Sequence, residues 1–140
     1  MALTHLLETS VLTRLTDPAV QQAILKLHAE PDPAVLGRTN ISDLEIGFSA
    51  RNAPEWDKAL AGLEVFDLLE TTAEDVRRAK EVQRLLAVKH HRGRKVPDLL
   101  IAAAAENNGL IVVHYDIDFD LIASVTSQSC EWIVPKGSVD

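Results

Sequence analysis

Short apolar runs alternate along the chain with segments whose apolar residues recur at helical spacing. The apolar runs predict strands at residues 3–7, 34–37, 65–68, 110–113 and 132–134. The periodic segments predict helices at residues 18–30, 41–50, 54–63, 72–88, 99–106 and 118–125. Strands that alternate with helices favour a parallel sheet with helices on both faces. We therefore predict an α/β fold, a three-layer α/β/α sandwich with a central, mostly parallel sheet.

Residues that begin and end helices support these boundaries. Pro18, Pro54 and Pro97 stand where helices are predicted to begin, a position that suits the fixed φ of proline. Asn107, Asn108 and Gly109 follow the fifth helix, as a left-handed C-terminal cap requires. The all-apolar run at 110–113 is typical of a strand in the centre of a sheet.

Length and composition predict a single globular domain over residues 1–140. A chain of 140 residues with 46% hydrophobic positions can bury one core without disulfides or metal. No apolar run reaches the roughly 18 residues that a membrane span needs, and the N-terminal residues do not resemble a signal peptide, so we expect a cytoplasmic protein. The lone Cys130 can form neither an internal disulfide nor a zinc site with other thiols.

The net charge of −7 argues against a protein that coats nucleic acid through overall positive charge. Positive charge is concentrated in one segment, residues 89–95, with the sequence KHHRGRK. On its own this segment is equally well explained as a solvated loop or as a local contact for nucleic acid.

Acidic residues follow several predicted strands, at the edge where open α/β sheets bind ligands. They are Glu8 after the first strand, Glu45 in the helix after the second, Asp98 after Pro97, and Asp116 with Asp118 after the strand at 110–113. Mg²⁺ and Mn²⁺ prefer carboxylate oxygens and water. If these acids converge, they predict a carboxylate pocket for one of these ions.

Each acid also has a structural explanation. Ser42 and Glu45 have the spacing of a capping box. Asp98 stands in a first helical turn, where the helix dipole favours a carboxylate, and Asp118 could cap the last helix. Caps need acids at separate helix starts, whereas a metal site needs them at one place, so convergence distinguishes the two interpretations.

Four segments resemble the motifs of PIN-domain ribonucleases in their order. They are HLLETSVL at 5–12, ISDLEIG at 41–47, VPDLLIAA at 96–103 and VHYDIDF at 113–119. The resemblance extends over nearly the whole chain, to EWIVP at 131–135. It implies a PIN-like fold and the endoribonuclease half of a VapC-like toxin–antitoxin pair.

The resemblance implies a set of site residues and partners. The catalytic metal ligands would be Glu8, Glu45, Asp98 and Asp116, with Asp118 as a further ligand or a residue that orients one. Bound Mg²⁺ or Mn²⁺ would activate water to attack an RNA phosphodiester. The implied partners are RNA, with structured RNA such as tRNA as one candidate, a cognate antitoxin, and a second copy in a homodimer.

The resemblance changes the interpretation of the basic segment and leaves one departure. Arg92, Arg94 and Lys95 stand just before Asp98, so we expect them to bind RNA phosphates near the metal. Glu8 stands where the family has aspartate, and its extra methylene should distort a Mg²⁺ site with strict geometry. The alternative is therefore a catalytically impaired PIN-like module that acts by binding its antitoxin or RNA.

Two other classes of protein fit the pattern less well. A phosphoryl-accepting receiver domain needs a pair of acids after the first strand, where this chain has only Glu8. A phosphatase of the Asp-x-Asp type would carry that motif after its first strand, whereas Asp116 and Asp118 lie near the end of the sequence, with 22 residues after them.

Overall fold

The computed structural model describes residues 2–91 and 93–140. Over these residues the predicted order of strands and helices is confirmed, with one further short helix directly after the first strand. Its strands are β1 (His5–Leu7), β2 (Leu36–Thr39), β3 (Asp67–Leu69), β4 (Ile111–His114) and β5 (Cys130–Trp132). Its helices are α1 (Thr9–Leu12), α2 (Pro18–Ala29), α3 (Asn40–Phe48), α4 (Ala53–Ala61), α5 (Ala73–Val88), α6 (Val96–Asn107) and α7 (Asp118–Thr126).

The strands form one parallel sheet in the order β3-β2-β1-β4-β5. From β1 the chain adds strands first on one side, through β2 and β3, and later on the other, through β4 and β5. The strand order therefore reverses between β1 and β4, and a crevice at the carboxyl ends of such a pair is where α/β sheets bind ligands. We call this place the switch point.

Both faces of the sheet are covered, as the three-layer prediction requires. In β1, Leu6 packs on one face in a cluster with residues of α5, α6 and α7, whereas Leu7 packs on the other with residues of α1 and α2. In β4, Val112 and Val113 divide between the same two clusters. This alternation follows from the two-residue period of a strand.

Three predicted strands are displaced because the pairing register, not apolarity, sets their ends. β3 is Asp67–Leu69 rather than residues 65–68, in register with the end of β2. The last strand is Cys130–Trp132 rather than residues 132–134, since Trp132 is the partner of His114 and the ladder ends there. Ile133 and Val134 are buried, but beyond the ladder. Likewise, β2 runs two residues past the predicted 34–37, to Thr39, which pairs with Leu69.

Helix α6 is packed between α3, α5, α7 and β4, and it carries small residues along this crowded segment. Ala102, Ala103, Ala104 and Ala105 are all buried, and small side chains let the helix approach its neighbours closely. The N-terminus of α6, with Asp98, is thereby held beside the switch point. Among the described residues, no helix is both long and apolar enough to cross a membrane. The cytoplasmic location remains a prediction.

We expect Ala104→Leu to destabilise the fold. Ala104 is 0% exposed, and extra methylene groups in a well-packed core typically cost about 1–3 kcal/mol. Ala87→Leu, at an exposed position of α5, is the matched control and should change stability by less than about 0.5 kcal/mol. Urea unfolding of both variants measures the difference, and equal stability would contradict tight packing of α6.

Candidate metal centre at the switch point

Acidic residues extend from the carboxyl ends of β1 and β4, the two strands that flank the switch point. Leu7 and Val113 are paired in the parallel ladder, and the next residue, Glu8, donates its N–H to Val113 O at 2.9 Å. Asp116 lies two residues beyond the end of β4. The sheet itself thus brings the acids after β1 close to those after β4.

Three aspartates converge at this place. Carboxylate oxygens of Asp98, Asp116 and Asp118 all lie within 4.8 Å of one another. Asp98 comes from the first turn of α6, Asp118 from the first turn of α7, and Asp116 from the loop before it. Separate helix caps do not require such convergence, whereas a shared cation does.

Asp98 is the most buried member of the group. The residue is 2% exposed, and within the described part of the chain its Oδ2 is buried without a hydrogen-bond partner. Burial raises the pKa of Asp98 to about 7, with a further increase from the charge of Glu8 and a decrease from Lys95. A buried carboxylate oxygen without a donor is costly unless a cation binds it, so the aspartate group fits a metal ion.

Asp116 and His114 shape the loop between β4 and α7. Asp116 Oδ1 accepts the N–H of Asp118 at 2.9 Å. The N-cap of α7 is Ile117 and Asp118 is the first helical residue, so the capping interpretation of Asp118 is wrong. The fully buried His114 accepts the N–H of Asp116 on Nδ1 at 3.2 Å. It packs between Phe119 and Trp132. Nothing in the local sequence of His114 indicates its bond to Asp116.

Glu8 is buried at the switch point, but its side chain bonds to α1, the helix that follows it. Its Oε2 accepts the N–H of Ser10 at 2.9 Å, as a cap of α1, and also the Ser10 hydroxyl. Burial raises the pKa of Glu8 to about 7; the Ser10 bonds lower it, and the charges of Asp116 and Glu45 raise it. Glu8 therefore lies within the field of the other acids, although it is outside the group of three that approach within 4.8 Å.

Glu45 is held by hydroxyl groups at the side of the switch point. Thr9 donates its hydroxyl to Glu45 Oε1 at 2.7 Å, and the Thr9 and Ser42 hydroxyls are 2.8 Å apart. Helix α3 begins at Asn40 with Thr39 as its cap, so the capping box predicted at Ser42 is wrong. Ser42 is instead a buried residue within the helix.

The hydroxyl residues after Glu8 organise the acids, and sequence reasoning did not identify them. Ser10 binds Glu8 and also accepts the N–H of Tyr115 at 2.8 Å, which joins α1 to the loop after β4. Thr9 orients Glu45. Their position directly after an acid at a strand end was the only signal available in the sequence.

Two cations of the basic segment lie against the aspartates. Arg94 Nη1 is 2.6 Å from Asp118 Oδ1, and Lys95 Nζ is 3.6 Å from Asp116 Oδ2. Asp98, and to a smaller degree Asp116 and Asp118, raise the pKa of Lys95. The third predicted phosphate contact, Arg92, lies outside the described residues.

Comparison with known proteins agrees with this geometry. The PIN-domain family profile matches residues 5–125. Ribonuclease VapC51 of Mycobacterium tuberculosis (strain ATCC 25618 / H37Rv) is 56% identical over 140 residues, which is 100% of each chain. Ribonuclease VapC21 of the same strain is 41% identical, with 99% of each chain covered.

Solved structures share the fold at low sequence identity. VapBC2 from Rickettsia felis, bound to a DNA fragment from its promoter, superposes with a TM-score of 0.74 at 18% identity and covers 92% of this chain and 98% of its own. VapBC-5 from Mycobacterium tuberculosis superposes with a TM-score of 0.66 at 23% identity, covering 94% and 99%. With its family profile and its full-length relatives, the chain belongs to the PIN-domain family, in the group of the VapC ribonucleases.

Proposed function

We propose that the protein is a metal-dependent endoribonuclease, the toxin of a toxin–antitoxin pair, and that residues 1–140 form a single PIN-like domain. The observation that carries this proposal is the convergence of Asp98, Asp116 and Asp118 within 4.8 Å beside a buried, unpartnered oxygen of Asp98. Full-length relatives named ribonucleases support the same activity.

The metal in this proposal is Mg²⁺ or Mn²⁺. Asp98, Asp116 and Asp118 would hold it, and Glu8 and Glu45 would add negative charge from the side of β1. When bound, the ion supplies a water of lowered pKa and neutralises charge at the phosphodiester. Thr9 and Ser10 keep the two glutamates oriented, and His114 holds the backbone of Asp116.

The proposed substrate contacts are the cations next to the metal ligands. Arg94 and Lys95 lie beside Asp118 and Asp116, where a phosphate bound near the metal would meet them. We include Arg92 in this role on its sequence position alone. A structured RNA such as tRNA remains one candidate substrate.

A cognate antitoxin is the proposed protein partner. Several solved structures with the same fold are named VapBC, and one is named a toxin–antitoxin complex from Klebsiella pneumoniae. The homodimer expected from the family resemblance remains a prediction. A catalytically impaired binding module is not favoured, because the three aspartates converge without a contribution from Glu8.

Asp98→Asn should abolish metal-dependent RNA cleavage and leave the fold intact, because it removes a ligand charge at nearly constant shape. Asp57→Asn, at an exposed position of α4, is the matched control and should cleave like the unmodified protein. Cleavage of labelled RNA with Mn²⁺ or with EDTA measures both. Full activity of the Asp98→Asn protein would remove this residue from the site.

The stability of the metal-free protein should fall as pH rises from about 4 to about 8. The pKa of Asp98 lies near 7 in the folded protein, against an ordinary value of 3.8, and that of Glu8 is also raised to about 7. The folded state thus binds these protons more tightly, so their contribution is present below the ordinary pKa and is lost as pH rises through 7. Thermal unfolding in EDTA measures the decrease.

The Asp98→Asn protein is the control for this pH dependence. It lacks one of the two titrating groups, so its stability should fall less between pH 5 and pH 8. If both proteins lose the same stability over this range, burial does not raise the pKa of Asp98.

Glu8→Asp should increase metal-dependent cleavage. Removing one methylene withdraws the carboxylate towards the position that the family uses, and Mg²⁺ tolerates little distortion of its octahedral geometry. A tenfold gain needs only about 1.4 kcal/mol of additional transition-state stabilisation. Parallel cleavage assays of the Glu8→Asp, Glu8→Gln and unmodified proteins test this. Equal rates for all three would withdraw Glu8 from the mechanism.

A further inference from the structure

We propose that Arg94 and the catalytic metal compete for the carboxylate of Asp118, and that metal binding releases Arg94 to bind an RNA phosphate. This inference rests on the proposed metal centre and concerns how that centre is regulated. It assigns to Arg94 two alternating partners, one within the protein and one in the substrate.

The contact between Arg94 and Asp118 is short and shielded. Arg94 Nη1 lies 2.6 Å from Asp118 Oδ1, and the two side chains are only 25% and 15% exposed. Charge-assisted hydrogen bonds of this length are among the stronger ones in proteins. The guanidinium therefore neutralises one of the three carboxylates of the site.

The same contact leaves Arg94 incompletely bonded. Among the residues that the structure describes, Nε of Arg94 is buried and has no hydrogen-bond partner. A buried donor without an acceptor is costly. The fork of an arginine matches a phosphate with two parallel bonds, which would also satisfy Nε. If Arg94 exchanges Asp118 for a phosphate, it therefore gains a hydrogen bond.

A divalent cation and a guanidinium are unfavourable neighbours on one carboxylate. Mg²⁺ and Mn²⁺ bind carboxylate oxygens directly, and two positive groups a few ångströms apart repel each other. Asp116 is a member of the same group and has Lys95 at 3.6 Å. The ion must therefore bind against positive charge that the protein itself provides, and Arg94 makes the shorter of the two contacts.

The side chain that moves in this exchange is that of Arg94. Arg94 precedes α6 and follows Gly93, which has a φ of +89° and at which an added Cβ would meet no atom within 4 Å. Asp118 belongs to the first turn of α7 and its backbone is held by Asp116. Release therefore moves the arginine rather than the aspartate, and leaves the guanidinium beside the metal, where a phosphate would bind.

Competition predicts the sign of a mutational effect on metal affinity. Arg94→Gln should tighten Mn²⁺ binding by about fivefold or more, the lower end of typical coupling between sites. Lys89→Gln removes the same charge from the same segment at an exposed position and should change the affinity less than twofold. Arg94→Lys keeps the charge without the planar fork and should fall between Arg94→Gln and the unmodified protein.

A second measurement tests the release of Arg94 towards RNA without any metal. Asp118→Asn removes the carboxylate partner, so in EDTA it should bind a labelled RNA oligonucleotide more tightly than Asp120→Asn, which makes the same charge change two residues further along α7. Equal affinities of these two variants would contradict release of Arg94 from Asp118.

Isothermal titration with Mn²⁺ distinguishes failure of the metal centre from failure of this inference. It compares the unmodified protein with Arg94→Gln, Arg94→Lys, Lys89→Gln and Asp98→Asn. If the unmodified protein binds Mn²⁺ no better than Asp98→Asn, the metal centre itself is wrong and this inference falls with it. If the unmodified protein binds Mn²⁺ at Asp98 but Arg94→Gln binds with equal or lower affinity, Arg94 supports the ligand instead of competing, and only this inference is overturned.

Discussion

Repulsion among three neighbouring carboxylates is the constraint on which this structure depends. Asp98, Asp116 and Asp118 approach within 4.8 Å, and like charges at such distances cost free energy that must be offset elsewhere. The parallel sheet supplies the framework, because β1 and β4 are adjacent and their carboxyl ends open on the same crevice. A bound divalent cation turns the repulsion into attraction, which is the physical reason to interpret the group as a metal centre.

The surrounding residues offset the repulsion among these carboxylates. Arg94 and Lys95 place positive charge against the aspartates. Burial shifts Asp98 towards its neutral form, since its pKa is raised to about 7. Asp98 lies in the first turn of α6, and this helix is held in place by its packing against α3, α5, α7 and β4. Stability and function therefore oppose each other here, as is common where buried charge is kept for chemistry.

Much of the fold could be predicted from the sequence, because periodicity and helix-start residues are local signals. The parallel three-layer architecture followed from strands that alternate with helices, and the convergence of Asp98, Asp116 and Asp118 followed from acids expected at one edge of the sheet. The ends of β2 and β5 were displaced, since they depend on register with Thr39 and His114, partners distant in the sequence. No local pattern carries that information.

The details of the site were less predictable, because they depend on side-chain direction. From its sequence position, Glu8 was predicted to be a metal ligand like Asp98, yet its side chain binds Ser10 and caps α1. Arg94 was assigned to phosphate, yet it contacts Asp118. In both cases more than one partner is available to the side chain, and only the assembled structure shows which one is bound.

Anomalous diffraction from crystals of the protein grown with Mn²⁺ tests the central claim most directly. Such data locate the ion independently of any assay of activity. The account predicts an anomalous peak between the carboxylates of Asp98, Asp116 and Asp118. The distance from the ion to each bound oxygen should be about 2.1 Å, as for other small divalent cations. A manganese ion bound elsewhere, with these three carboxylates free of it at saturating Mn²⁺, would contradict it.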